Sequence, residues 1–200
     1  MESNALRARR NEDAALVAVG LVGWLTVAQV AAWVWPGSGK HSATNRATEV
    51  LARLSAGRLL MRRKSGTGVW GYLLTNTGAA RANGVYQEDA FRAGYDLSLL
   101  DAYRQAAVVA YLLAQAADVD VKLGPAGVRG GVRCGLVDPA LVEADALAWD
   151  SELCAWRAAV LARTLHPEVL AKARRVRAAA GHFQLLGPSH LVQQFGRAMH

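Results

Sequence analysis

The constraint that most narrows the fold is an uncharged apolar run at residues 14–35, AALVAVGLVGWLTVAQVAAWVW, preceded by Arg7, Arg9 and Arg10. A run of this length behind positive charge has the form of a membrane span or signal anchor. Its interior also holds Gly23, a helix breaker. Thr26 follows, with Gln29 three residues on, the spacing of a capping box in which each side chain satisfies the other's backbone N–H. The run therefore reads as two short soluble helices. A membrane anchor formed by 14–35 is the alternative, and the expectation is a protein without membrane partners.

The first helix is expected over 12–22, with Leu16, Val19 and Leu21 or Val22 on one face. The second runs from Val27 to Val34 and is stopped by Pro36. After the PGSGK loop, a third helix is expected from Ser42 to Ser55, because Ala47, Val50, Leu51 and Leu54 recur at helical spacing. RLLMRR and VWGYLLT read as strands around the KSGTG turn, and Thr75 caps a further helix covering 78–83. The order helix, helix, helix, strand, turn, strand, helix is that of a winged helix-turn-helix domain, assigned to residues 1–84.

Charge agrees. Residues 1–84 carry eleven Lys/Arg against four Asp/Glu, the whole net charge of +7, whereas 85–200 carry twelve of each. A basic module joined to a neutral one suggests a polyanion partner. Duplex DNA binding needs a polar helix face for the major groove, groups that hold phosphates, and a wing for the adjacent backbone. Helix three supplies Ser42, Asn45, Arg46, Glu49 and Arg53. The loop before it supplies Lys40 and His41. The wing supplies Arg62, Arg63, Lys64 and Thr67.

Beyond an expected linker at 85–95, residues 96–200 read as a small mixed α/β domain, so the chain as a whole is α+β. Tyr103–Ala117 is an apolar helix, DVDVKL a strand, and GPAGVRGGVRCG a loop or irregular hairpin. LVEADALAWD reads as a second strand, and ELCAWRAAVL as a strand or a helix. A helix opened by His166-Pro167 runs to about Ala180. HFQLLG is a last strand and PSHLVQQFGRAM a last helix.

The chemistry of this half is sparse. Asp118, Asp120, Asp138, Glu143, Asp145, Asp150 and Glu152 crowd one region, which makes a metal-dependent nuclease built on 138–152 the alternative function. The five histidines and two cysteines have no metal-ligand spacing, and no phosphate loop or dinucleotide fingerprint is present. Lys172, Arg174, Arg175 and Arg177 read as a solvated helix face. No catalytic residue, metal or cofactor is assigned. Cys134 and Cys154 give no disulfide framework, in keeping with a cytoplasmic protein.

The run GWLTVAQVAAWVWPGSGKHSATNRATEVLARLSAGRLLMRRKSGTGVWGYLLTNTGAARANG resembles the winged-helix start of replication-relaxation-type proteins, encoded on bacterial plasmids and integrative elements. MarR-like regulators share the layout. AGYDLSLLDAYRQAAVVAYLLAQ is similar to that family's linking segment and helix. The resemblance implies a DNA-binding transcriptional regulator or DNA-processing accessory factor of a mobile element, with no particular operator. The second half is similar in outline to small nuclease-like domains, whose active members hold a metal with one acid and an acid-x-Lys pair on the next strand. Asp145 would be the first acid, but Glu152-Leu153-Cys154 has no Lys. The implied role of residues 96–200 is therefore dimerisation, partner binding or ligand sensing, with a homodimer as one arrangement.

Overall fold

A computed structural model of the chain describes residues 3–94, 102–115, 119–164 and 166–198. The fold is α+β and divides into two compact units, Met1–Ala102 and Tyr103–His200. Asp118, His200 and the last residue of the expected 85–95 linker lie outside the described residues.

In the first unit the apolar run is broken where its glycine stands. Helix α1 spans Asn4–Val22, and Gly23 leaves it at φ 104°, a conformation that favours glycine. Its start lies eight residues before the expected 12, because Ser3 accepts a hydrogen bond from the Leu6 N–H and Ala, Leu and Arg carry the helix without an apolar stripe. Trp24 and Leu25, 2% and 0% exposed, turn inward. Helix α2 then spans Val27–Val34 behind the expected capping box: Gln29 N–H donates to Thr26 Oγ1 at 3.3 Å, and Thr26 N–H to Gln29 Oε1 at 2.9 Å. No helix among the described residues is long and apolar enough to cross a membrane.

Helix α3 spans Lys40–Ala56, one turn longer in total than expected, with Ala43, Ala47, Val50, Leu51 and Leu54 buried. Strands β1 (Leu60–Lys64) and β2 (Trp70–Leu74) form an antiparallel hairpin in which Arg62 faces Tyr72 and Lys64 faces Trp70. Leu25 pairs with Tyr72 through two backbone hydrogen bonds, so the break between α1 and α2 extends the hairpin edge. Helix α4 spans Asn76–Tyr86, with Thr75 as its cap. Residues 85–94, expected to begin a linker, instead close onto this unit: Phe91 is buried against Gly20, and its backbone N–H and C=O are both bonded by the Asn83 amide.

The second unit is built on a four-stranded sheet in the order β3-β4-β5-β6. Helix α5 (Ala102–Ala114) precedes β3 (Val119–Leu123). Strands β4 (Ala146–Asp150) and β5 (Ala155–Leu161) continue the antiparallel ladder. Helix α7 (Pro167–Ala179) then crosses to β6 (His182–Leu186), parallel to β5. Helix α8 is Ser189–Ala198. The ELCAWRAAVL segment thus resolves as a strand, and only the second half of LVEADALAWD is one.

The glycine-rich segment is a correction. Pro125–Arg133 is helix α6, not a loop or hairpin. Pro125 sits in its first turn with φ already helical. Gly127, Gly130 and Gly131 are buried, and a Cβ on Gly131 would fall 2.6 Å from Val137 Cγ2. Gly131 thus serves close packing rather than chain reversal.

Two glycines of α4 give a paired test. A Cβ on Gly78 would stand 1.9 Å from the Leu59 carbonyl oxygen, whereas nothing lies within 4 Å of one on Gly84. Gly78→Ala should cost at least about 2 kcal/mol in urea unfolding through overpacking. Gly84→Ala should gain about 0.5 kcal/mol from a stiffer unfolded chain. Equal effects of the two would contradict this packing of α4.

Candidate nucleic-acid interface

Burial of the apolar side of α3 dictates what the other side presents. Lys40, His41, Ser42, Asn45, Arg46, Glu49 and Arg53 are all exposed. They do not form one uniform set. His41 and Asn45, one turn apart, share a hydrogen bond of 3.2 Å between the imidazole Nε2 and the amide Nδ2. That contact orients the Asn45 amide and leaves its carbonyl oxygen and one N–H for another partner. Lys40 and Arg46 form no ion pair among the described residues.

Arg53 also pairs within the unit. Its guanidinium donates to Glu12 Oε1 of α1 at 3.1 Å, and Arg81 of α4 bonds both Asp13 (2.8 Å) and Glu12 (3.3 Å). Arg53 thus belongs to a four-residue charge network that joins α1, α3 and α4. The sequence pattern placed it with the outward residues because helical spacing distinguishes core from surface, not solvent from a neighbouring helix.

The hairpin carries its charge without acidic partners. Arg62, Arg63 and Lys64 are exposed and make no ion pair among the described residues. The turn at 65–69 is held from within. Ser65 N–H donates to Val69 O at 2.7 Å, Gly68 N–H to Ser65 O at 2.9 Å, and Val69 N–H to Ser65 Oγ at 3.0 Å. The hydroxyl of Thr67 lies 3.0 Å from that of Ser65, so this residue, expected to meet DNA, is also part of the turn. Gly68, at φ 87°, takes the left-handed position.

Sequence reasoning passed over Trp70. It is 47% exposed on the face of the hairpin that carries Arg62 and Lys64. The Arg62 guanidinium carbon lies 4.6 Å from its ring centroid and the Lys64 ammonium 5.8 Å. Both separations suit cation–π contact. The signal in the sequence was period-two alternation, which puts residues 62, 64, 70 and 72 on one face of a tight hairpin.

Four acids of the second unit are held by partners: Asp138, Glu143, Asp145 and Asp150. Asp145, 1% exposed, accepts from the Arg104 guanidinium, from Lys172 Nζ at 3.0 Å and from the Leu161 N–H at 2.7 Å. Asp150, also 1% exposed, accepts from the N–H groups of Glu152 and Leu153 and from Arg157. Glu143 pairs with Arg175, and Asp138 caps the short turn at Pro139–Leu141. Lys172 is therefore the ion-pair partner of a buried carboxylate, whereas Arg175 lies on the exposed face expected of it and pairs there with Glu143. Among the described residues no three of His, Cys, Asp and Glu stand together as a metal would require. A cavity of about 330 Å³ is lined by Tyr111, Gln115, Arg157 and His182 among others. Burial pushes the Tyr111 hydroxyl up to about 12, partly offset by Arg157.

With this geometry in hand, comparison with known proteins finds no match: no family profile, curated protein or solved structure is similar to the chain.

Two outcomes follow for the buried acids. Asp145→Ala removes the buried acceptor shared by Arg104, Lys172 and the Leu161 N–H, and should cost about 3 kcal/mol in urea unfolding. A loss below about 1 kcal/mol would mean that water already screens the cluster. Asp150 is held below the ordinary carboxylate range, first by the Leu153 N–H and then by Arg157. A depressed value gives stability that is present above the unfolded value, near 3.9, and that disappears as pH falls through the folded one. The stability difference between wild type and Asp150→Asn should therefore shrink on acidification below about pH 4. A difference that stays constant down to pH 2 would remove Asp150 from the acid response.

Proposed function

We propose that the first unit is a winged helix-turn-helix domain that binds duplex DNA, with α3 as the reading helix and the β1–β2 hairpin as the wing. The observation that carries this reading is the pairing of two exposed surfaces in one small unit. One is the polar face of α3 with Asn45 and Arg46. The other is a hairpin with three cations and, among the described residues, no acid in ion-pair reach. The bridge from Leu25 to Tyr72 supports it, since a short third strand at the hairpin edge suits a winged-helix sheet. The oriented Asn45 amide keeps the acceptor and donor that a bidentate contact to adenine uses, and Arg46 suits guanine.

On this reading Lys40, His41 and Ser42 hold phosphates or base edges at the start of α3, and Glu49 completes the reading face. Arg53, half exposed beside Glu12, stays in this set as a phosphate contact. The protein acts as a transcriptional regulator or DNA-processing accessory factor, the role implied by the resemblance to mobile-element proteins. The second unit serves as a partner-binding, ligand-sensing or dimerising domain in which Asp145 and Asp150 are structural.

Phosphate contacts supply affinity that falls with salt, whereas base contacts supply discrimination. Once a preferred site has been selected from a genomic fragment library, Arg63→Ala/Lys64→Ala should weaken selected and random DNA alike and flatten the salt dependence. Asn45→Ala or Arg46→Ala should lose about 1–3 kcal/mol of preference for the selected site and bind random DNA nearly as before. Equal loss on both DNAs for the helix variants would mean that α3 does not read sequence.

A further inference from the structure

An indole ring half exposed on a small unit needs an explanation, because burying it would be worth more than any surface contact it makes. Trp70 is not stranded by chance at a loop tip. It lies in β2 directly opposite Lys64, diagonal to Arg62, with both cations in contact with its ring. On the other face of the hairpin Gly71 abuts Trp24: a Cβ there would stand 2.0 Å from the Trp24 ring. That contact anchors the strand from beneath and keeps the Arg62, Lys64, Trp70 and Tyr72 face outward.

We propose that this face is a stacking platform for an unpaired DNA base, so that the protein prefers duplex with a single-stranded flank over plain duplex. The inference rests on the DNA-binding reading above and narrows its substrate. Two observations point to it. First, the ring is held in place by cation–π contacts while 47% of the residue stays open, so an incoming base can stack on the indole in place of one mobile cation at little conformational cost. Second, Arg62 and Lys64 stand beside it on the same face, with no acid in ion-pair reach among the described residues, which matches the alternation of base and phosphate along a strand. Within intact duplex the base faces are covered by their neighbours, and the ring would meet only edges and sugars. An unpaired base offers a free face, and its own phosphates fall to the flanking cations. Stacking of this kind tolerates any base, so it adds no sequence preference of its own.

The test uses the full chain and three labelled DNAs of one duplex sequence: blunt, with a six-nucleotide single-stranded flank, and with the same flank made abasic. The third keeps every phosphate and removes every base. Wild type should bind the native flank at least about five-fold tighter than the blunt duplex, and the abasic flank should lose that gain. Trp70→Ala should bind all three alike, at the blunt-duplex affinity of wild type. Trp70→Phe should keep most of the gain, which separates stacking from damage to the hairpin. A gain that survives in the abasic flank or in Trp70→Ala would overturn the platform while leaving duplex binding intact. Failure of wild type to bind any of the three would overturn the DNA-binding reading itself, and the platform with it.

Discussion

The first unit depends on one contact, the seating of Trp24 beneath the hairpin at Gly71. Everything on the amino-terminal side of that contact would continue as one apolar helix were it not for Gly23. Because the chain turns there, Trp24 and Leu25 become buried core and Leu25 pairs with Tyr72. The hairpin is thereby fixed to the break between two helices rather than to a helix face. Its register then decides which side chains face outward, since a one-residue slip would exchange Arg62, Lys64 and Trp70 for Met61, Arg63 and Gly71. The absence of a side chain at Gly71 is what makes the seating close, and no other residue type fits that gap.

Much of this was legible in the sequence where local chemistry has a short range. The Thr26 and Gln29 pair placed the start of α2 to the residue, and Thr75 and His166 each cap the helix expected of them. Where a signal depends on distant partners, the reading failed. The glycines of α6 looked like loop residues, yet the reason for Gly131, its closeness to Val137 and to Leu123 of the sheet, is tertiary. The pairing of Arg53 with Glu12 was not legible because the two are forty-one residues apart in sequence. Trp70 was overlooked because an aromatic in a strand is ordinarily core. The resemblance to mobile-element DNA-binding proteins finds no counterpart among known families or structures, so it bears on function only as a proposal.

Two acids of the second unit hold its sheet together. Seven carboxylates between 118 and 152 read as a reservoir for metal chemistry. Asp145 and Asp150 are instead buried on either end of β4, each matched by an arginine and by backbone N–H donors. The first ties α5 and α7 to the sheet, and the second closes the turn between β4 and β5. Carboxylates that accept this many hydrogen bonds have few lone pairs left to offer.

The turn at 65–69 satisfies its polar groups from within itself, and the core beneath it ends at Leu73 and Met61. Nothing buried therefore registers how long the hairpin is or what its tip contains. Such a segment is free to drift in length and charge between relatives without disturbing the fold, so divergence in what this protein contacts can accumulate at the tip while the Trp24 seat stays fixed.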